Sequence, residues 1–142
     1  MITRTASARY EGFGKEGRAS VSTQSGVLDG AAYGFGSRFE GEKGTNPEEL
    51  IAAAHASCFT MALSFALARE GLSEGILETT AKVRLDKEGD GFRISRSDLS
   101  LEASVPGIDE ARFRAIAEEA KANCPVSKLL NAEIGFDLRL NG

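Results

Sequence analysis

Cys58 and Cys124 are the only thiols in the chain, and their neighbours decide what chemistry they can do. A free cysteine is mostly thiol at neutral pH, and only the thiolate attacks. Cys58 lies near the middle of NPEELIAAAHASCFTMALSFALAR, residues 46–69, a stretch without formal charge from Ile51 to Ala68. Burial there would raise its pKa and leave it inert, so an active thiol at this position needs a cation. His55, one helical turn earlier, is one candidate. Arg38, in the loop before the helix, is a stronger one, because a guanidinium stays charged even when partly buried. A desolvated arginine needs a carboxylate in turn, and Glu48 or Glu49 can supply it. Cys124 opens the segment Cys124-Pro125-Val126-Ser127, a helix start, where a thiol's pKa falls and it becomes a good partner for an oxidised cysteine. The distance between the two cysteines in the chain rules out a CxxC motif and permits a disulfide across the fold.

Each residue also has a plain structural reading. Cysteine packs well in cores, so Cys58 can be inert filling, and Cys124 a small residue before a helix. Glu48 and Glu49 suit the positive end of a helix dipole. Arg38 can be solvated, and His55 a buried histidine with satisfied nitrogens. A metal reading competes: His55, Cys58 and Cys124 offer three zinc ligands, with no fourth evident. A non-enzymatic reading makes the chain a small-molecule-binding dimer with passive thiols.

The elements that must position these side chains can be read from pattern. ITRTASARYEG, GRASVSTQSGV and GAAYGFG suggest three strands, followed by the glycine-punctuated loop GSRFEGEKGTNPEE. A long helix follows from about Pro47 to about Glu70, with Asn46 as N-cap, Pro47 at the first position and Gly71 as the stop. ILETTAKVRLDKEGDGFRISRSDLSLEASV predicts a hairpin about Glu88-Gly89-Asp90-Gly91. Asp109 caps a second helix, EARFRAIAEEAKAN, whose Phe113, Ile116, Ala117 and Ala120 form one apolar stripe. A short helix begins at Pro125, and EIGFDLRL closes the chain as a strand. The order is β-β-β-α-β-β-α-α-β, a single α+β domain over residues 1–142.

The net charge of −4, with scattered lysines and arginines, gives no electrostatic reason to bind nucleic acid or an anionic membrane. MITRTASARYEG lacks the apolar stretch of a signal peptide, so a cytoplasmic location is expected, where thiols stay reduced. The uncharged run is long enough to raise a membrane span, but His55, Ser57, Thr60 and Ser64 interrupt it. A helix apolar nearly all round is expected at the centre of a packed protein instead. One small sheet covers one side of it, so a second copy is expected to cover the other, as a homodimer. Positions 48 and 58 of one straight helix lie roughly 15 Å apart along the axis and about 80° apart around it. A glutamate serving the thiolate should therefore come from the partner, on an antiparallel helix.

YGFGSRFEGEKGTNPEELIAAAHASCFTMAL and ANCPVSKLL, with VSTQSGVLDG before them and SVPGID between, resemble the OsmC branch of the OsmC/Ohr family of hydroperoxide reductases. The resemblance runs along essentially the whole chain. It implies the OsmC-like fold, an intertwined homodimer with long central helices packed against antiparallel sheets and both sites at the interface. By this resemblance Cys58 is the peroxidatic cysteine and Cys124 the resolving one. Arg38 holds the thiolate and polarises the peroxide, and Glu48 orients Arg38. His55 stands where the OsmC branch has histidine. The implied reaction reduces organic hydroperoxides, and hydrogen peroxide less well, through a sulfenic acid and an intramolecular disulfide. A dithiol, such as a lipoylated protein or a small thiol, resets the enzyme. No metal, flavin or haem is implied. Phe35, Phe39, Phe59, Met61 and Phe65 are the expected apolar walls for substrate, and His55 is an expected substrate contact.

Overall fold

The computed structural model describes residues 1–142, which fall into two compact units, Met1–Leu50 and Ile51–Gly142. In the first unit, strands β1 (Ala6–Glu11), β2 (Arg18–Thr23) and β3 (Ala31–Tyr33) form an antiparallel sheet in that order. A 3-10 turn, Gly14–Glu16, joins the first two. The loop expected after β3 contains a short helix, α1 (Phe35–Phe39). Gly36 within it argues against helix in the sequence, since glycine is a poor helix former. Hydrogen bonds hold it instead: the Gly34 amide donates to Ser37 Oγ at 3.0 Å, and the Ser37 hydroxyl donates to the Thr45 carbonyl at 2.8 Å.

Helix α2 (Pro47–Arg69) begins where its capping residues direct. The Glu49 amide donates to Asn46 Oδ1 at 2.8 Å, as an N-cap should. Gly71 ends the helix with φ +87°, a left-handed conformation that favours glycine. The second unit holds β4 (Ile76–Glu88), β5 (Gly91–Ser104), α3 (Glu110–Asn123), α4 (Pro125–Leu129) and β6 (Glu133–Leu140). The hairpin turns at Gly89-Asp90, and Asp109 caps α3 by accepting from the Arg112 amide at 2.9 Å.

The sheet order is β4-β5-β6, and here one expectation is corrected. β6 pairs with β5 in parallel, Arg96 opposite Glu133 through Ala103 opposite Leu140, so this sheet is mixed rather than antiparallel. The reason is the crossover. The connection through α3 and α4 returns the chain to the end where β5 began, as a parallel neighbour requires.

The core of this unit forms where three apolar faces meet. α2 contributes Phe59, Leu63 and Leu67, at one residue per turn along one stripe. β5 contributes Leu99, Leu101 and Ala103 by strict alternation, with Leu138 from β6 beside them. α3 adds the predicted stripe, Phe113, Ile116, Ala117 and Ala120, all buried. Phe113 is wholly enclosed, so Phe113→Ala should cost about 3–5 kcal/mol of stability. Urea unfolding followed by circular dichroism checks this, and a loss below about 1 kcal/mol would contradict the packing.

Candidate active site

In the unit Met1–Leu50, one ion pair stands apart from the surface pairs. Arg38, on α1, donates from Nε to Glu48 Oε1 at 2.8 Å, and the Glu48 side chain is only 11% exposed. The backbone fixes this geometry. The Thr45 amide donates to the Ala32 carbonyl at 3.0 Å, and Asn46 Nδ2 donates to the Ser37 carbonyl at 3.2 Å, so β3, α1 and the start of α2 are tied together. Gly44, at φ +119°, makes the approach possible, because a Cβ there would lie 2.7 Å from the Ala32 carbonyl oxygen. Of the two candidate carboxylates, Glu48 pairs with Arg38, whereas Glu49 accepts from the Thr45 hydroxyl at 2.7 Å.

Arg38 also packs with its guanidinium carbon 5.4 Å from the Phe39 ring centroid, and Phe39 tilts against Phe35 at 5.0 Å. Both phenylalanines are partly exposed and line a cleft of about 250 Å³ with Tyr10, Tyr33, Arg38 and Pro47. An apolar cleft beside one oriented guanidinium suits a small ligand with an apolar body and a polar end.

In the unit Ile51–Gly142, the two cysteines meet. Both are free thiols, Cys58 half-buried and Cys124 fully buried, and they lie near enough for each to perturb the other's ionisation. Burial pushes the Cys58 thiol up, and the neighbouring Cys124 adds to the rise through the hydrogen bond and its charge, with the Val126 amide pulling the other way. Cys124 moves down. Burial opposes that, but the hydrogen bond from Cys58 outweighs it together with the Ser127 amide and hydroxyl and the Val126 amide. Within this unit the thiolate thus prefers Cys124, and nothing cationic stabilises it on Cys58.

His55 is wholly buried, with Nδ1 2.6 Å from Ser97 Oγ and Nε2 2.9 Å from Ser127 Oγ. The Ser127 hydroxyl in turn donates to Cys124 Sγ at 3.6 Å. Ser97 and Ser127 were not among the expected site residues. The signal for Ser97 lies in β5, where it takes the inward position of a series continuing Leu99, Leu101 and Ala103. A serine on the core face of a strand needs a polar partner.

His55 and Phe59 were expected to face substrate, and the structure corrects this. Both fall on the inward stripe of α2, where Phe59 packs edge-on against Phe136 at 5.5 Å, so neither lines an open surface of the protomer. Met61 and Phe65 lie on the opposite face, each 63% exposed. The competing zinc arrangement fails on its donors: both His55 nitrogens are engaged by serines, and no three His, Cys, Asp or Glu side chains cluster to hold a metal ion.

Burial lowers the pKa of His55, the only histidine in the chain, from its ordinary 6.5. A folded state that refuses a proton the unfolded chain accepts loses stability as pH falls below the unfolded pKa. Unfolding free energy should therefore decline as pH drops below 6.5, and a His55→Gln chain should decline less in that window. Parallel urea titrations at stepped pH would show it, and identical slopes would refute it.

Comparison with known proteins places this geometry. Residues 40–139 match the family model described as OsmC-like protein. The chain is 53% identical over 139 residues to peroxiredoxin OsmC of Escherichia coli (strain K12), covering 98% of this chain and 97% of that one. It is 32% identical over 142 residues to the organic hydroperoxide resistance protein OhrA of Bacillus subtilis (strain 168), covering 99% and 96%. Among solved structures, the organic hydroperoxide resistance protein OhrB of Bacillus subtilis superposes with a TM-score of 0.69 at 28% identity, covering 99% of this chain and 98% of that one. The match reaches from end to end and is stronger toward the OsmC relative than toward the Ohr ones, and the chain belongs to the OsmC family.

Proposed function

We propose that this chain, a cysteine-based peroxidase of the OsmC family, reduces organic hydroperoxides with Cys58 as the attacking thiolate and Cys124 as the resolving thiol. The proximity of the two thiols, each of which shifts the other's ionisation, carries the reading, since neighbouring cysteines can pass between dithiol and disulfide without unfolding. The Cys58 thiolate attacks the terminal oxygen of ROOH. The O–O bond breaks, the alcohol leaves with a proton, and Cys58 becomes a sulfenic acid. Cys124 then attacks the Cys58 sulfur, the S–O bond breaks, and water leaves behind a disulfide. An external dithiol, such as a lipoylated protein or a small thiol, reduces the disulfide by two exchange steps.

Cys58 needs a cation, and none in its own unit lowers its pKa. Arg38, oriented by Glu48, is the candidate, and the apolar cleft beside it favours an alkyl or aryl hydroperoxide over hydrogen peroxide. The helix spacing of Glu48 and Cys58 supports supply by a second copy. So does the outward face of α2, where Met61 and Phe65 stand exposed on a helix whose most apolar 18 residues have a mean hydropathy of 1.7. That helix is long and apolar enough to cross a membrane, but its other face is the core of a folded unit, which favours a protein partner over lipid. Sedimentation should report a homodimer. A monomer at assay concentration would remove the trans-acting arginine.

Stopped-flow consumption of cumene hydroperoxide and hydrogen peroxide, with a dithiol as reductant, tests the function directly. The organic peroxide should be the better substrate, and failure to consume either would overturn the proposal. Arg38→Ala should raise the Cys58 pKa further and slow the peroxide step. Titration of thiolate absorbance in parent and variant checks this, and superimposable curves would refute the role of Arg38.

A further inference from the structure

The chain from Ser97 through His55 and Ser127 to Cys124 has no task in the reaction as described, yet it is built with care. A buried imidazole costs stability unless both nitrogens are engaged, and here two serines from different elements engage them. Ser97 comes from the inward face of β5 and Ser127 from α4. The far end of the chain is a sulfur, Cys124 Sγ, which itself contacts Cys58.

We propose that His55, acting through the Ser127 hydroxyl, takes up the proton of Cys124 as that thiol attacks the sulfenic acid on Cys58. This rests on the peroxidase reading above and assigns a positioning residue to the resolving step alone. Before attack, Nδ1–H donates to Ser97 Oγ, leaving Nε2 with a free lone pair for the Ser127 hydroxyl. For the transfer the Ser127 hydroxyl, which donates to Cys124 Sγ in the resting protein, rotates toward Nε2, and the Cys124 S–H then points at the serine oxygen. As the sulfur attacks, its proton passes to Ser127 Oγ, and the serine's own proton passes to His55 Nε2. The Cys58 S–O bond breaks, hydroxide leaves and is protonated to water, and the S–S bond forms. The cation created on His55 then discharges its proton toward the departing hydroxide or solvent. Ser127 alone touches a reacting atom, and the Nδ1 bond to Ser97 holds the ring in the tautomer that can accept.

Burial keeps His55 neutral, and thus able to accept, down to pH values below the ordinary histidine range. The groups that face it are few. Arg96 and Asp98, which flank Ser97, point to the opposite face of β5, where Arg96 Nη2 pairs with Asp98 Oδ1 at 2.7 Å. From α2 and α4 the titratable neighbours reached through Ser127 are Cys124 and Cys58 themselves.

The test separates two rates in the full chain. One equivalent of cumene hydroperoxide is mixed with reduced protein, Cys58 sulfenic acid is trapped with dimedone, and disulfide formation is followed by loss of free thiol. Ser127→Ala and His55→Gln should slow disulfide formation relative to sulfenic acid formation by roughly a hundred-fold, within the range for general base catalysis. Ser127→Thr, which keeps the hydroxyl, should recover most of the rate. The deficit should also shrink as pH rises and Cys124 ionises unaided, a pattern that mere loosening of the core would not produce. If His55→Gln fails to fold, the Ser127 pair still decides. Disulfide formation at the parent rate in Ser127→Ala, or a deficit independent of pH, would overturn the relay. Absence of any trapped sulfenic acid in the parent would instead sink the peroxidase reading beneath it.

Discussion

A Cys58→Ser chain should consume cumene hydroperoxide no faster than the dithiol alone does. The expectation follows from what the sulfur does. Peroxide O–O cleavage needs a soft, polarisable anion, and a serine hydroxyl neither ionises near neutral pH nor attacks oxygen readily. The substitution is otherwise gentle, since Cys58 is only half-buried and the hydroxyl is slightly smaller. Cys124 remains, but it is fully enclosed and lacks an approach for substrate. The same measurement discriminates the remaining alternative. If the protein were a binding dimer with passive thiols, Cys58→Ser would behave as the parent does in a coupled assay, at the same slow background. Unfolding midpoints measured beside the rates ensure that lost activity is not lost structure.

Much of this arrangement was legible in the sequence wherever local rules carry the information. Asn46, Pro47 and Gly71 bound α2 because capping is decided within a turn of chain. Asp109 and the Phe113 stripe defined α3 for the same reason, and Cys124-Pro125 marked α4. What escaped was set by partners distant in sequence. α1 forms despite Gly36 because Ser37 finds the Thr45 carbonyl. The parallel direction of β6 depends on where the α3–α4 crossover delivers the chain, which no strand pattern encodes. The charges alone left Glu48 and Glu49 open as partners of Arg38, the resemblance chose Glu48, and the structure joins Arg38 to Glu48 at 2.8 Å. For His55 the structure favours the plain reading, a buried histidine with both nitrogens satisfied, over the substrate-facing one, because the inward stripe is decided by which face of α2 meets β5. Of its neighbours, Ser97 carries no motif, and Ser127 lies in Cys124-Pro125-Val126-Ser127 without its hydroxyl being singled out. They become meaningful only once the fold stacks them on the two imidazole nitrogens.

Removing the second thiol gives the sharpest contrast with removing the first. A Cys124→Ser chain should reduce one equivalent of hydroperoxide per protomer and then stop, because the Cys58 sulfenic acid has no thiol to condense with. The first turnover should not be slower. In the reduced protein Cys124 raises the Cys58 pKa both by its hydrogen bond and by its charge, after the larger effect of burial. Deleting the sulfur removes two of those three influences, so Cys58 should ionise at lower pH than in the parent and attack at least as fast. Excess peroxide then drives the stranded sulfenic acid onward to sulfinic and sulfonic acid, which a dithiol does not reverse. Intact-mass analysis after graded peroxide should show chains carrying two or three added oxygens, all on Cys58, where the parent shows the loss of two hydrogens. The converse variant, Cys58→Ala, should move the Cys124 thiol upward, since the hydrogen bond that most favours its thiolate comes from Cys58. Thiolate absorbance titrations of the two single-cysteine chains would therefore shift in opposite directions from the parent. Shifts in the same direction would mean that the sulfurs are not in contact in solution, and the resolving role of Cys124 would fall with that contact.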